Sequence, residues 1–265
     1  MNSHSIITSG RGLAPLISSS PAIDEGMALS RGQNPSLNLS MPTSGWLWGL
    51  NGAHIGEDLR LYPGANTIGS SARCNVVVTA PEVGRQHAVI NVLSGESAVV
   101  QQGSTQRELL LNGSPCQGPS PLCFGDTLQM GEQVFVFVTL IPSAREERMK
   151  ITLLDRVRDF KALTLAWLIE LKGVREGRDF RLFAGENRVG SQPGVEIFLP
   201  DDSIKQRHCV ITRHAHNWTI VPHSVTEPLL VNDEPTTGTG IQNGDVIAIG
   251  GFEFLFRSIT VDTLP

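Results

Sequence analysis

Residues Gly45 to Ile90 align without a gap onto Ala166 to Ile211, 121 positions further on, as the pair His87 and His208 marks. A stretch of that length carried twice calls for two copies of one fold. Trp46-Leu47-Trp48-Gly49-Leu50 is answered by Trp167-Leu168-Ile169-Glu170-Leu171, and Leu59 to Gly64 by Phe180 to Gly185. Each stretch reads as a short alternating strand, a glycine-containing turn and a second alternating strand. The paired glycines Gly52/Gly173, Gly64/Gly185 and Gly69/Gly190 fall on matching turns, where a residue without Cβ takes positive φ at little cost. Near the end of each copy the spacing becomes 119, as in Gly125 and Gly244. Both copies then close on a Gly-Asp turn, a strand, a glycine and an aromatic strand, Val134 to Phe137 or Glu253 to Phe256, which reads as a hairpin. Many short strands with regular turns predict an all-β chain of two sandwiches in tandem, and 265 residues suffice for two cores.

Between the copies, Ser143 precedes Glu146 as a helix cap precedes its answering carboxylate, and Met149, Leu153, Val157 and Phe160 share one helical face. The spacing predicts a connecting helix over Ala144 to Lys161. The first 44 residues are rich in Ser, Gly, Pro and Asn without periodicity and read as a flexible tail, with Thr8 and Thr43 as candidate kinase targets. The expected organisation is a tail over 1–44, a first domain over 45–141, a helical linker over 142–164 and a second domain over 165–260.

Composition narrows the function. A net charge of −5 with no clustered basic face argues against nucleic acid. No apolar run approaches the roughly 18 to 20 residues that span a bilayer, so membrane contact is expected only through a partner. Without a basic and apolar leader, the expected location is cytoplasmic. Cys74, Cys116, Cys123 and Cys209 form no CxxC pair and do not match between copies, so free thiols are expected. Walker, HExxH, GxSxG and GxGxxG patterns are absent, and no enzyme activity, cofactor or metal is expected.

The segments Ile68-Gly69-Ser70-Ser71, Cys74-Asn75-Val76-Val77-Val78 and Pro81 to Ile90 resemble a forkhead-associated domain. The second copy resembles it more loosely through Val189-Gly190-Ser191, Glu196 to Leu199 and Lys205 to Ile211. The resemblance implies loops at one end of each sandwich that hold a phosphothreonine peptide through an arginine, a serine and an asparagine. Here Ser70 and Ser191 stand in the arginine position, Gly84 and Lys205 in the serine position and Gln106 in the asparagine position, while Ser224 to Glu227 offers no equivalent. His87 and His208 are retained as braces, with Gly69 and Gly190 as structural glycines. The candidate peptide or phosphate contacts are Ser70, Ser71, Arg73, Arg85 and Gln106 in the first copy and Ser191, Lys205 and Arg207 in the second.

A retained frame with altered phosphate positions points to a non-catalytic adaptor or scaffold that binds protein partners. Similar modules with Gly-Ser in place of Gly-Arg occur in secretion-system ring proteins, which adds an assembly role to what the resemblance implies. The alternative is a signalling module that reads phosphothreonine downstream of a Ser/Thr kinase. The oligomeric state is left open.

Overall fold

Both faces of the first strand are buried, and this decides how the chain packs. In β1 (Gly45–Gly49), Leu47 points into one apolar cluster while Trp46 and Trp48 point into another. A strand covered on both sides loses the polar alternation of a half-solvated one, which is why the segment reads Trp-Leu-Trp. The computed structural model describes residues 42–93, 97–104, 107–141, 150–157, 159–224, 226 and 229–262.

The first sandwich contains β1, β2 (Asp58–Leu61), β3 (Gly64–Gly69), β4 (Val76–Val77), β5 (Ala88–Val92), β6 (Ala98–Gln102), β7 (Leu109–Leu111), β8 (Ser114–Pro115), β9 (Ser120–Leu122), β10 (Thr127–Met130) and β11 (Gln133–Thr139). One sheet runs β2-β1-β11-β10-β7-β8 and the other β4-β3-β5-β6-β9. Leu47, Phe135 and Phe137 from the first meet Ile68, Ile90 and Val100 from the second in the core.

After β12 (Ile151–Thr152), the second sandwich repeats this order with β13 (Ala166–Lys172), β14 (Asp179–Leu182), β15 (Gly185–Gly190), β16 (Ile197–Phe198), β17 (Cys209–His214), β18 (Asn217–Pro222), β19 (Leu229–Val231), β20 (Glu234–Pro235), β21 (Thr239–Ile241), β22 (Val246–Ile249) and β23 (Phe252–Ser258). Its sheets run β14-β13-β23-β22-β19-β20 and β16-β15-β17-β18-β21, strand for strand the same topology. A final strand, β24 (Val261–Asp262), pairs in parallel with β12.

The repeat extends to polar clips. Asn112 and Gly113 take φ of 51° and 76°, and Asn232 and Asp233 take 52° and 66°, as a tight hairpin turn requires. Asn112 Oδ1 accepts from Thr127 N–H at 2.8 Å and its Nδ2 donates to Asp126 at 2.9 Å, while Asn232 treats Val246 and Asp245 alike. The buried Asn66 clips the β2–β3 turn by bonding the backbone N–H and C=O of Tyr62, and Asn187 does the same to Phe183.

The predicted helical linker is corrected by the structure. Residues 142–149 lie outside the described residues, and no α-helix occurs among those described. From Lys150 onward the chain is extended: Ile151 and Leu153 are buried while Thr152 and Leu154 are exposed, a period of two. The spacing of Leu153, Val157 and Phe160 fits a helix on paper, but β24 offers an unpaired strand edge, and pairing with it satisfies the backbone of this short segment. A 3₁₀ turn, Phe160–Ala162, capped by the Asp159 side chain, leads into β13.

The sandwiches meet through the outer faces of β1 and β13. The Trp46 and Trp167 rings stack at 4.3 Å and 17°. Arg60 Nε lies 2.7 Å from Asp179 Oδ1, and Arg181 Nε lies 2.7 Å from Asp58 Oδ1. Trp167 Nε1 donates to Asp58 Oδ2 at 2.7 Å, and Trp48 Nε1 to Thr164 O at 2.9 Å. Thr43, expected in the flexible tail as a kinase target, is buried here with its hydroxyl on Asp179 Oδ1 at 2.7 Å. Asp58→Ala leaves the largely buried Arg181 guanidinium and the Trp167 indole N–H without their shared partner. Urea denaturation is expected to show a loss of about 3–5 kcal/mol, the scale for breaking one side of a buried ion pair.

Candidate functional site

At one end of each sandwich three loops converge, those following β3, β4 and β6 in the first and β15, β16 and β18 in the second. Ser70 N–H donates to Gly84 O at 2.9 Å, Ser71 N–H to Arg85 O at 3.1 Å and Gly103 N–H to His87 O at 2.8 Å. The second copy repeats this set through Ser191 N–H to Lys205 O at 2.9 Å, Gln192 N–H to Gln206 O at 3.2 Å and His223 N–H to His208 O at 2.8 Å. Backbone stitching of this kind needs room, and Gly69 and Gly190 supply it. A Cβ on Gly69 would lie 2.5 Å from Arg85 O, and one on Gly190 2.1 Å from Gln206 O. Neither shows the positive φ expected for a turn glycine, so close approach, not turn conformation, explains them.

The histidines brace the middle loop from inside. His87 Nδ1 accepts from Gly84 N–H at 3.0 Å, which leaves the proton on Nε2 to be donated to Glu108 O at 2.8 Å. His208 Nδ1 accepts from Lys205 N–H at 3.3 Å. Both imidazoles are buried, which fits bracing rather than ligand contact.

The candidate contacts surround these braces. Ser70, Arg73 and Arg85 are exposed and Ser71 is half-buried, with its Oγ accepting from Arg73 N–H at 3.3 Å. Cys74 closes this loop by donating its thiol to Arg85 O at 3.2 Å, and burial pushes that thiol above its ordinary pKa. In the second copy Lys205 and Arg207 are exposed, whereas Ser191 Oγ donates to Ile204 O at 2.9 Å and is spent on the loop itself. Gln106 lies outside the described residues. The backbone thus brings Ser70 and Ser71 against the Arg85 loop and Ser191 against the Lys205 loop.

The two ends differ in a way the sequence reading missed. Each end has a cleft, one of about 280 Å³ beside His87, Arg107 and Glu108 at the first and one of about 230 Å³ lined by Arg188, Gln192, Val210, Arg207 and His223, among others, at the second. Arg188 on its wall makes a two-pronged pair with Glu196 at 2.9 and 2.7 Å, and that hydrogen bonding holds the Glu196 carboxyl down to about 2. The equivalent pair in the first copy is neutral, Thr67 Oγ1 donating to Asn75 Oδ1 at 2.7 Å. The signal was available, since the aligned positions carry Thr and Asn in one copy and Arg and Glu in the other.

His87 gives a pH test. Burial, aided by nearby Arg107, holds its pKa below the ordinary 6.5, against the opposing bond to Glu108. The unfolded chain therefore takes up this proton first, so the contribution to stability is whole above about pH 6.5 and is lost as pH falls toward the depressed folded value. Denaturation midpoints between pH 7.5 and 5 are expected to fall in the wild type. A His87→Gln variant is expected to show a shallower fall.

The profile of the family described as "Inner membrane component of T3SS, cytoplasmic domain" matches residues 49–140 and again 170–260. An oxoglutarate dehydrogenase inhibitor of Corynebacterium jeikeium is 31% identical over 91 residues, covering 34% of this chain and 63% of the relative. The glycogen accumulation regulator GarA of Mycobacterium tuberculosis is 29% identical over 91 residues, covering 34% of this chain and 56% of the relative. The matched region is thus less than two thirds of the length of either relative. A structure solved in work on phosphothreonine-dependent FHA domain interactions is 28% identical, with a TM-score of 0.33, covering 36% of this chain and 96% of that one. The chain belongs to the family of T3SS inner membrane component cytoplasmic domains and carries that FHA-type domain twice.

Proposed function

We propose that the chain is a non-catalytic adaptor on the cytoplasmic side of a secretion apparatus, holding protein partners through the loop ends of its two sandwiches. One observation carries this reading: both ends keep the stitched loops and the histidine brace, while Ser70 and Ser191 stand in the arginine position and Gly84 and Lys205 in the serine position. Ser191 spends its hydroxyl on Ile204 O, and Gly84 has none to offer. Without an arginine fork, a phosphoryl group loses the bidentate donor that matches its oxygens. The exposed Arg73 and Arg85 at one end and Lys205 and Arg207 at the other suit acidic or polar segments of a partner.

A second reading has its own support in the cleft of the second end. Arg207 lines it and Lys205 stands on the same loop, and a lysine can hold phosphate as a point charge. In this reading the second module binds a phosphorylated peptide while the first serves as scaffold.

Titration of the intact chain with phosphothreonine and unphosphorylated versions of one peptide library separates the two. The adaptor reading expects at most a few-fold preference for the phosphorylated version, the effect of added negative charge alone, and weakening of the bound peptides by Arg85→Glu or Lys205→Glu. The second reading expects tighter binding of the phosphorylated version, with Lys205→Ala and Arg207→Ala each costing about tenfold or more, the scale of a hydrogen bond to a charged group. Binding that neither charge reversal alters would remove the loop ends from both readings.

A further inference from the structure

Several of the contacts joining the two sandwiches are made twice, with the roles exchanged. Thr43 N–H donates to Gly177 O at 2.9 Å, and Thr164 N–H to Gly56 O at 3.3 Å. The Thr43 hydroxyl meets Asp179 Oδ1 at 2.7 Å, and the Thr164 hydroxyl meets Asp58 Oδ1 at 3.3 Å. Arg60 faces Asp179 as Arg181 faces Asp58, and Trp46 stacks on Trp167. Every member of these pairs lies 121 positions from its counterpart, so each is the same residue of the repeat. That is the rule of a two-fold interface: residue i of one copy meets j of the other, and j meets i.

We propose that this face is a module-pairing surface whose partner is another copy of the same module, and that it holds the halves together without the covalent connection. Contacts imposed only by a tether have no reason to be reciprocal. A surface complementary to itself does, because one patch serves on both sides. Its chemistry is selective: a threonine three residues before a tryptophan, and an aspartate two residues before an arginine, at the same spacing in both halves. A foreign surface lacking that set would leave buried charges and indoles without partners. In the intact chain both patches are used up internally, which leaves the loop ends and the outer sheets for other proteins.

The test replaces residues 142–149 of the full chain with a site for a specific protease, cuts there, and follows the halves by analytical ultracentrifugation. The cut halves are expected to sediment together as a one-to-one complex, and each half, once separated, is expected to pair with itself. Trp167→Ala combined with Arg181→Ala is expected to weaken the complex by about 100-fold or more, as loss of central aromatic and charged anchors does. Thr43→Val and Thr164→Val keep side-chain shape and spare the fold, and each is expected to weaken pairing by a similar few-fold factor. Asp155→Ala, which removes a contact between the connection and Gly52 outside the face, is expected to leave pairing unchanged. Halves that part on cutting, threonine variants that pair as tightly as wild type, a half that binds only its opposite, or an equal loss from Asp155→Ala would each overturn the proposal.

Discussion

The two crossed carboxylate–guanidinium pairs beneath the stacked indoles govern how much of each module remains available. Asp58, Arg60 and Asp179 are almost wholly buried, and burying such charges is costly unless each finds an opposite charge and further donors. Asp58 has Arg181, the Trp167 indole N–H and the Thr164 hydroxyl; Asp179 has Arg60 and the Thr43 hydroxyl. Burial alone would pull the Arg60 pKa down, yet Asp179 and Asp58 together push it above its ordinary value. Tyr62 alongside is pushed up to about 12, chiefly by burial, and stays protonated. Such a network tolerates one alignment of the sandwiches and penalises sliding, because each displacement parts several charges at once. The two-fold symmetry is not complete, since Trp46 Nε1 has no hydrogen-bond partner among the described residues while Trp167 Nε1 does.

Because the β1 and β13 faces are consumed in this contact, the loop ends hang on the other sheet of each sandwich, the one built on β3, β5 and β6 or on β15, β17 and β18. The frame under those loops is fixed by backbone bonds that no surface side chain controls. Substitution at Ser70, Lys205 or Arg207 therefore leaves the way the loops are held unchanged. That separation is the physical reason a module can change its exposed loop side chains and keep its shape. It also explains why His87 and His208 persist in both copies, since each bonds backbone whatever ligand the loops meet.

Much of this was legible in the sequence because it rested on local chemistry repeated twice. The duplicated strands, the hairpins of Asn112 and Asn232 and the closing aromatic strands all follow from spacing and turn residues. The connecting helix failed because a few apolar residues fit two periods, and the choice between them was made by β24, about 110 residues downstream. Gly69 and Gly190 were found for the wrong reason, since close backbone approach leaves the same trace in sequence as a left-handed turn. The pairing face was half visible. The alignment put Trp46 on Trp167, and charges at Asp58 and Arg60 inside an apolar strand, repeated at Asp179 and Arg181, were the signal that two polar strands were to be buried against each other.

Divergence between the halves is unevenly spread, and its distribution bears on ligand. Thr43, Trp46, Asp58 and Arg60 recur unchanged as Thr164, Trp167, Asp179 and Arg181, whereas around the loop ends Thr67 and Asn75 face Arg188 and Glu196, and Gly84 faces Lys205. The Arg188–Glu196 pair is solvent-exposed enough that its stabilisation is small, so stability alone gives little reason for the exchange. What it changes is the wall of the cleft, where the Arg188 guanidinium, fixed from behind by Glu196, stands at the position that Thr67 holds in the first copy. A peptide matched to one end meets a different charge pattern at the other. Two modules locked at one spacing therefore present ends of different chemistry.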